Sequence, residues 1–177
     1  MNLSVTKLII FSGFFLFSNF LQATDDLSPR VFYSYESNGG DYFSSVGVGL
    51  TFKDSETNLG VQLNTSLGYA EVLAEDGYLE DYASWEGGLK LGYFSNISIY
   101  VEGGIDLSEL FFHDLRYDDY EHHHGFEDDL DAYVGFGIGF GSEAFQLDLF
   151  VRAREIDSKY WEAESDVFSG VQISANF

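Results

Sequence analysis

Along most of the chain hydrophobic and polar residues alternate with period two, the pattern of half-buried β-strands rather than helices. One run sets Leu59, Val61, Leu63, Thr65, Leu67 and Tyr69 against Gly60, Gln62, Asn64, Ser66, Gly68 and Ala70. A second sets Ile97, Ile99, Val101, Gly103, Ile105 and Leu107 against Ser98, Tyr100, Glu102, Gly104, Asp106 and Ser108. A third sets Ala132, Val134, Phe136, Ile138 and Phe140 against Asp131, Tyr133, Gly135, Gly137, Gly139 and Gly141. The pattern predicts eight strands, over residues 31–37, 42–53, 59–71, 82–94, 97–111, 130–141, 144–157 and 166–177. The only proline, Pro29, precedes the first run, where it breaks no ladder.

One face of each strand is mostly apolar and the other mostly polar, charged or glycine. A soluble sandwich would bury the apolar face as its core. A membrane barrel would turn that face to lipid and the polar face inward. Loop lengths favour the barrel. The connections at Asp54–Asn58, Ser95–Asn96 and Ser142–Glu143 are short, those at 72–81, 112–129 and 158–165 longer, and Asn38–Asp41 is a short exception. Alternating short periplasmic turns and longer outer loops fit an even-stranded barrel. Aromatic residues on the apolar register also gather at strand ends. Phe52, Tyr93, Phe140, Phe145 and Phe177 would line one rim, with Tyr69, Trp85 and Phe111 at the other.

Residues 1–23 are expected to be a signal peptide, with Lys7 as the positive charge, an apolar run over 8–21 and Ala23 at the cleavage position. That run is too short and too interrupted by Ser12, Gly13, Ser18 and Asn19 for a spanning helix. The expected mature domain is 24–177. Without cysteine the chain has neither a lipoprotein attachment site nor a disulfide framework. Removing Lys7 with the leader leaves 7 of the 8 basic residues against 30 acidic ones, a net charge of −23 with His neutral. So acidic a chain is unsuited to nucleic-acid phosphates. With 45% hydrophobic and 18% aromatic residues it is equally unsuited to disorder.

The last run closes on Val171, Ile173, Ala175 and Phe177. This alternation ending in Phe is similar to the carboxy-terminal insertion signal of outer-membrane proteins. With the leader and the eight strands, the mature chain resembles the small OmpX and OmpA-transmembrane-domain type of barrel. The resemblance implies an all-β, eight-stranded antiparallel up-and-down transmembrane β-barrel in a Gram-negative outer membrane. Its partners would be the barrel assembly machinery, outer-membrane lipid and lipopolysaccharide.

The inward register carries charge. Glu36, Glu86, Glu102, Asp106, Asp131 and Asp148 share the expected interior with Lys90, Arg152 and Arg154. If Phe140 faces Phe145, then Asp131 lies opposite Arg154 and Tyr133 opposite Arg152, with Gly135, Gly137 and Gly139 opposite Phe150, Asp148 and Gln146. If Tyr93 faces Ile97, then Lys90 lies opposite Tyr100 and diagonal to Glu102. Eight strands leave room only for side chains, so ion pairs should fill the lumen. The alternative is a narrow, acid-lined ion path.

All four histidines, His113, His122, His123 and His124, fall in the expected third outer loop with Asp114, Asp118 and Asp119. Imidazole and carboxylate together suit a divalent cation, although the spacing matches no zinc motif. No other cofactor is expected. Barrel enzymes need other patterns. The lipid A deacylase type has His-x-Ser, the palmitoyltransferase type a His in the first outer loop, and omptin proteases ten strands; the chain has none of these. An Asp–His hydrolytic site in the third loop would lack a nucleophile, so a hydrolase is the remotest reading. The expected role is structural or interactive, with acidic loops carrying Tyr78, Tyr117, Tyr120, Tyr160 and Trp161 towards a surface ligand or lipopolysaccharide head groups.

Overall fold

The computed structural model describes residues 26–73, 79–108, 131–142, 144–158 and 161–177. They form one sheet of eight antiparallel strands: β1 (Asp26–Ser37), β2 (Tyr42–Lys53), β3 (Leu59–Leu73), β4 (Leu79–Tyr93), β5 (Ile97–Asp106), β6 (Ala132–Gly141), β7 (Phe145–Ser158) and β8 (Trp161–Asn176). Each strand pairs with its neighbours in sequence, and β1 pairs with β8 to close an up-and-down barrel. Closure leaves no unpaired edge.

The strand pairs fix how far the barrel is staggered. From Leu27 the ladder runs to Phe52, Val61, Leu91, Val101, Phe136, Val151 and Ser169, then returns to β1 at Ser37. It returns ten residues further along β1, so the shear is ten, which tilts eight strands by about 40°. At that tilt, the ten residue steps from Leu59 to Tyr69 rise about 25 Å along the barrel axis.

Alternation sets the two surfaces. Val46, Leu67, Ile99, Val134, Phe136 and Ile173 are among the large apolar side chains exposed on the outside. The inside holds Arg30, Glu36, Gln62, Lys90, Glu102, Asp148, Arg152, Arg154 and Gln172, all buried. The core is therefore polar and the outer surface apolar, the reverse of a soluble sandwich. Glycine makes the narrow interior fit its rings. A Cβ on Gly137 would strike the Tyr100 ring, and one on Gly104 or Gly88 would strike Tyr133.

Several strand limits differ from the sequence expectation. β1 begins five residues early, at Asp26, and contains Pro29. The Pro29 carbonyl accepts the Phe177 N–H at 2.9 Å, while the paired register with β8 starts only at Arg30. N–H and C=O of a strand residue point the same way. The N–H that proline lacks would thus face Phe177, the residue just past β8, and no β1–β2 bond is lost. β5 stops at Asp106 instead of 111, because the Asp106 carboxylate caps Ser108 through its N–H (2.7 Å) and hydroxyl (2.6 Å) and turns the chain. Trp161, expected in a loop, opens β8.

Two hairpin registers are also corrected. Phe140 pairs with Leu147 rather than Phe145, which sets Tyr133 opposite Arg154 and Gly135 opposite Arg152. Gly137 faces Phe150, Gly139 faces Asp148 and Gly141 faces Gln146. Tyr93 pairs with Ile99 rather than Ile97, so Lys90 lies directly opposite Glu102 and Tyr100 is its diagonal neighbour. In the β6–β7 hairpin the Ser142 N–H bonds the Phe145 carbonyl at 2.7 Å, one residue later than a Ser142–Glu143 turn would close.

Candidate functional site: the charged lumen

The inward side chains form a continuous polar column that rises from the short-turn end. Arg30 lies lowest. It donates to Gln62 Oε1 (2.6 Å), Gln146 Oε1 (3.1 Å) and Asn176 Oδ1 (3.0 and 3.2 Å), so a buried guanidinium is held by amide oxygens. Above it, Lys90 donates to Tyr100 Oη (3.1 Å) and Gln172 Oε1 (3.2 Å) and sits 4.2 Å from the centre of the Tyr100 ring. Its carboxylate neighbours are Asp148 at 3.7 Å and Glu102 at 3.9 Å. Asp148 in turn accepts from Gln146 Nε2 (2.5 Å) and Gln172 Nε2 (3.2 Å).

The upper half is built on two arginines two residues apart on β7. Arg152 grips Glu102 with both Nε (2.9 Å) and Nη2 (3.0 Å) and reaches Glu36 Oε1 at 3.1 Å. Arg154 bonds the same Glu36 oxygen through Nε (2.9 Å) and Nη2, and Glu86 Oε1 at 2.6 Å. Planar guanidinium suits this work, since its fork matches a carboxylate and its faces stack on rings. Arg152 lies 4.4 Å from the Tyr133 ring centre and 4.2 Å from that of Phe150, and Arg154 lies 4.5 Å from Phe43 and 4.7 Å from Tyr133. Towards the loop end Phe43 meets Phe168 edge-on at 5.3 Å, both buried, and lays an apolar lid over the charges.

Glu36, Glu86, Lys90, Glu102, Asp148, Arg152 and Arg154 thus meet in one network. Asp106 lies at its loop end, occupied by Ser108 and the Trp85 N–H (3.4 Å). Asp131 is half-buried at the mouth, where its carbonyl accepts the Asp106 N–H at 2.9 Å. Sequence reasoning missed Arg30. It shares the inward register with Glu36, but Pro29 beside it had moved the expected start of the strand past it. With Arg30 included, four buried bases meet the column carboxylates Glu36, Glu86, Glu102, Asp106 and Asp148, with Asp41 also buried at the loop end, rather than three bases facing six acids.

The network leaves little open space. Two internal voids of about 10 Å³ each lie beside Glu86, one lined by Asp106, Asp131 and Arg154 and the other by Ser66, Arg152 and Gln172. Each has room for about one water. On the outside, Val171, Ile173 and Phe177 are exposed and Ala175 is half-exposed, all on the apolar surface. His113, Asp114, Asp118, Asp119, His122, His123 and His124 lie outside the described residues, as do Tyr78, Phe111, Tyr117, Tyr120 and Tyr160. Among the described residues no group of three metal-ligating side chains converges. Compared with known proteins, the chain matches no family model and no curated sequence.

Proposed function

We propose that the chain is the precursor of an outer-membrane barrel of a Gram-negative bacterium, with a filled lumen and a structural or surface-interaction role. The observation that carries the reading is the reversal of surfaces: a buried column of charge inside a closed sheet whose outside is apolar. Water would make that outside costly, whereas hydrocarbon matches it. The roughly 25 Å rise from Leu59 to Tyr69 equals the apolar band such barrels present to lipid. Phe140, Phe145 and Phe177 are exposed near the short-turn end, and Tyr69 near the other, in keeping with interfacial girdles.

In this reading residues 1–23 direct export and are removed. The assembly machinery recognises the terminal Val171–Phe177 strand, the short turns face the periplasm and the long loops face outward. The role is non-catalytic. The acidic loops meet lipopolysaccharide or a surface ligand, with divalent cations, held in part by the 113–124 histidines and aspartates, offsetting like charge. A test compares outer-membrane fractions run on a gel with and without boiling, for the whole chain and for a chain lacking Phe177. The expected result is a band that shifts on boiling and weakens on deletion. An unshifted, soluble periplasmic protein would overturn the proposal.

A further inference from the structure

The β1–β2 turn, Asn38-Gly39-Gly40-Asp41, holds the one asparagine of the chain that precedes a glycine. Asn38, Gly39 and Gly40 are exposed to water and Asp41 is buried. An asparagine in that position can cyclise, because a glycine nitrogen, free of a neighbouring Cβ, can attack the carboxamide carbon and close a succinimide ring. Gly39 has φ +99°, and a Cβ there would meet nothing within 4 Å, so the space around it is open.

Three sets of contacts bear on the reacting atoms. The Gly39 N–H donates to Ser37 Oγ at 3.1 Å, and the Ser37 hydroxyl is itself donated to the Asp41 carbonyl at 2.8 Å, so a lone pair faces the amide proton. Asn38 Oδ1, which gains negative charge when Cγ is attacked, accepts the N–H of Gly40 (3.1 Å) and of Asp41 (2.9 Å). Two backbone donors on one developing oxyanion make an oxyanion hole. Asn38 Nδ2, the departing nitrogen, donates to Asp41 Oδ2 (3.1 Å) and Asp166 Oδ2 (3.2 Å). In the tetrahedral adduct this nitrogen is an amine that leaves once protonated, and two adjacent carboxylates favour its ammonium form. Nucleophile, oxyanion and leaving group are each met by a group of suitable polarity.

We propose that the folded turn converts its own Asn38, by cyclisation through Gly39, to an aspartyl or isoaspartyl residue. Hydroxide takes the Gly39 amide proton, which Ser37 Oγ polarises, and the nitrogen bonds Asn38 Cγ. The Cγ–Nδ2 bond then breaks, and Nδ2, protonated by water, departs as ammonia. One water adds to either imide carbonyl and opens the ring. The net reaction consumes one water and releases one ammonia, with no oxidant or cofactor. The product carboxylate stands against Asp41 and Asp166 where a donor stood, so conversion cuts the tie between the turn and β8 and adds a negative charge to the loop end. The reaction needs only the closed barrel, whether or not a membrane surrounds it.

The test incubates the whole chain, refolded in micelles (or in buffer, should it prove soluble), beside the same chain unfolded in urea at the same neutral pH. The folded fraction is taken from an unboiled gel, and position 38 is followed by peptide mass mapping. Conversion should be at least about tenfold faster in the folded chain, a modest share of the ~10²–10³ that one oxyanion-hole donor contributes. Asn58, in the β2–β3 turn before Leu59, should remain an amide in the folded chain. Asp166→Asn keeps the shape and an acceptor oxygen but removes one charge from the departing nitrogen, and should slow conversion severalfold within the folded fraction. Conversion no faster in the folded chain than in urea would overturn the proposal. So would an unchanged rate in Asp166→Asn, or conversion of Asn58 at the rate of Asn38.

Discussion

Arg152→Met tests what the charged column contributes. The substitution keeps most of the side-chain length and removes the guanidinium. Glu102, 7% exposed, then loses both bonds to Arg152 and keeps Lys90 at 3.9 Å as its nearest base. Glu36 loses one of its two arginines, and the rings of Tyr133 and Phe150 lose the cation stacked between them. Removing one partner from a buried pair leaves the other charge uncompensated and costs about 3–5 kcal/mol. That is a factor of roughly 10² to several times 10³ in the folding equilibrium. Replacing both partners by apolar groups has a different expected outcome, since the desolvation of two ions is relieved along with their attraction. Arg152→Met/Glu102→Leu should therefore be far less unstable than the sum of its single changes. The coupling should reach the upper part of the ~0.5–3 kcal/mol range seen for contacting residues.

The assay is urea unfolding of the refolded barrel in micelles, read by the folded band on an unboiled gel and by tryptophan fluorescence, for the four members of the cycle. A loss below about 1 kcal/mol for Arg152→Met, with the slope unchanged, would mean that water or rearranged side chains meet Glu102 and that the column is not dry. Strict additivity in the double variant would equally refute the pairing as the source of the loss.

Gly104→Ala should destabilise by about 1–3 kcal/mol, because its Cβ would press on a Tyr133 ring flanked by both arginines, whereas outward Gly103→Ala meets its nearest atom at 3.5 Å and should be nearly neutral. Equal urea midpoints for the two variants would contradict the packing described. At the β2–β3 turn Asp54 Oδ1 accepts the Thr57 N–H (2.7 Å), the Thr57 hydroxyl (2.8 Å) and the Glu56 N–H (3.0 Å), and these bonds hold its carboxyl below the usual Asp range. A lowered folded pKa gives stability that is present above the unfolded value of about 3.9 and lost as pH falls through the folded one. The gap between wild type and Asp54→Ala should accordingly narrow from pH 7 to pH 3, and a constant gap would count against it. In planar bilayers the wild-type chain should show no stable conductance, because the two voids beside Glu86 are each about 10 Å³; steady single-channel steps would refute a filled lumen.

Faces were more legible in the sequence than pairs, and the reason is geometric. Turn residues mark a hairpin to within about one position, and moving a turn centre by one residue shifts every cross-strand pair by two. A shift of two preserves which side each residue faces. Hence alternation alone assigns Arg152, Arg154, Glu102 and Lys90 to the interior and keeps Lys90 beside Tyr100 and Glu102, while the direct cross-strand pairs shift by two. Arg154 was matched with Asp131 and in fact bonds Glu36 and Glu86, from β1 and β4. Such contacts cross the lumen between strands far apart in the sheet, and no local pattern encodes them. Arg30 shows another limit. Proline argues against a central strand, yet at the margin of the β1–β8 seam, opposite Phe177, the ladder tolerates the missing donor. His113 and its acidic neighbours carry no alternation that would position them.

The distribution of charge shows why the barrel and its acidity can be treated separately. Half of the chain's 8 basic residues, Arg30, Lys90, Arg152 and Arg154, are buried in the lumen, where they face five carboxylates. The column is therefore within about one charge of neutral, and the carboxylate of Asp106 is solvated by the N–H and hydroxyl of Ser108. Near-neutrality is what a narrow, poorly hydrated interior requires, since an unmatched charge there would cost several kcal/mol. The large negative balance of the chain is therefore carried outside the column, where water and counter-ions screen it at little cost. Substitutions among the exposed acids should change association with cations and other surfaces while leaving the folded barrel intact. Substitutions among the four buried bases act on folding first. A loop phenotype and a stability phenotype then separate cleanly, and any surface role can be sought in variants that retain the boiling shift.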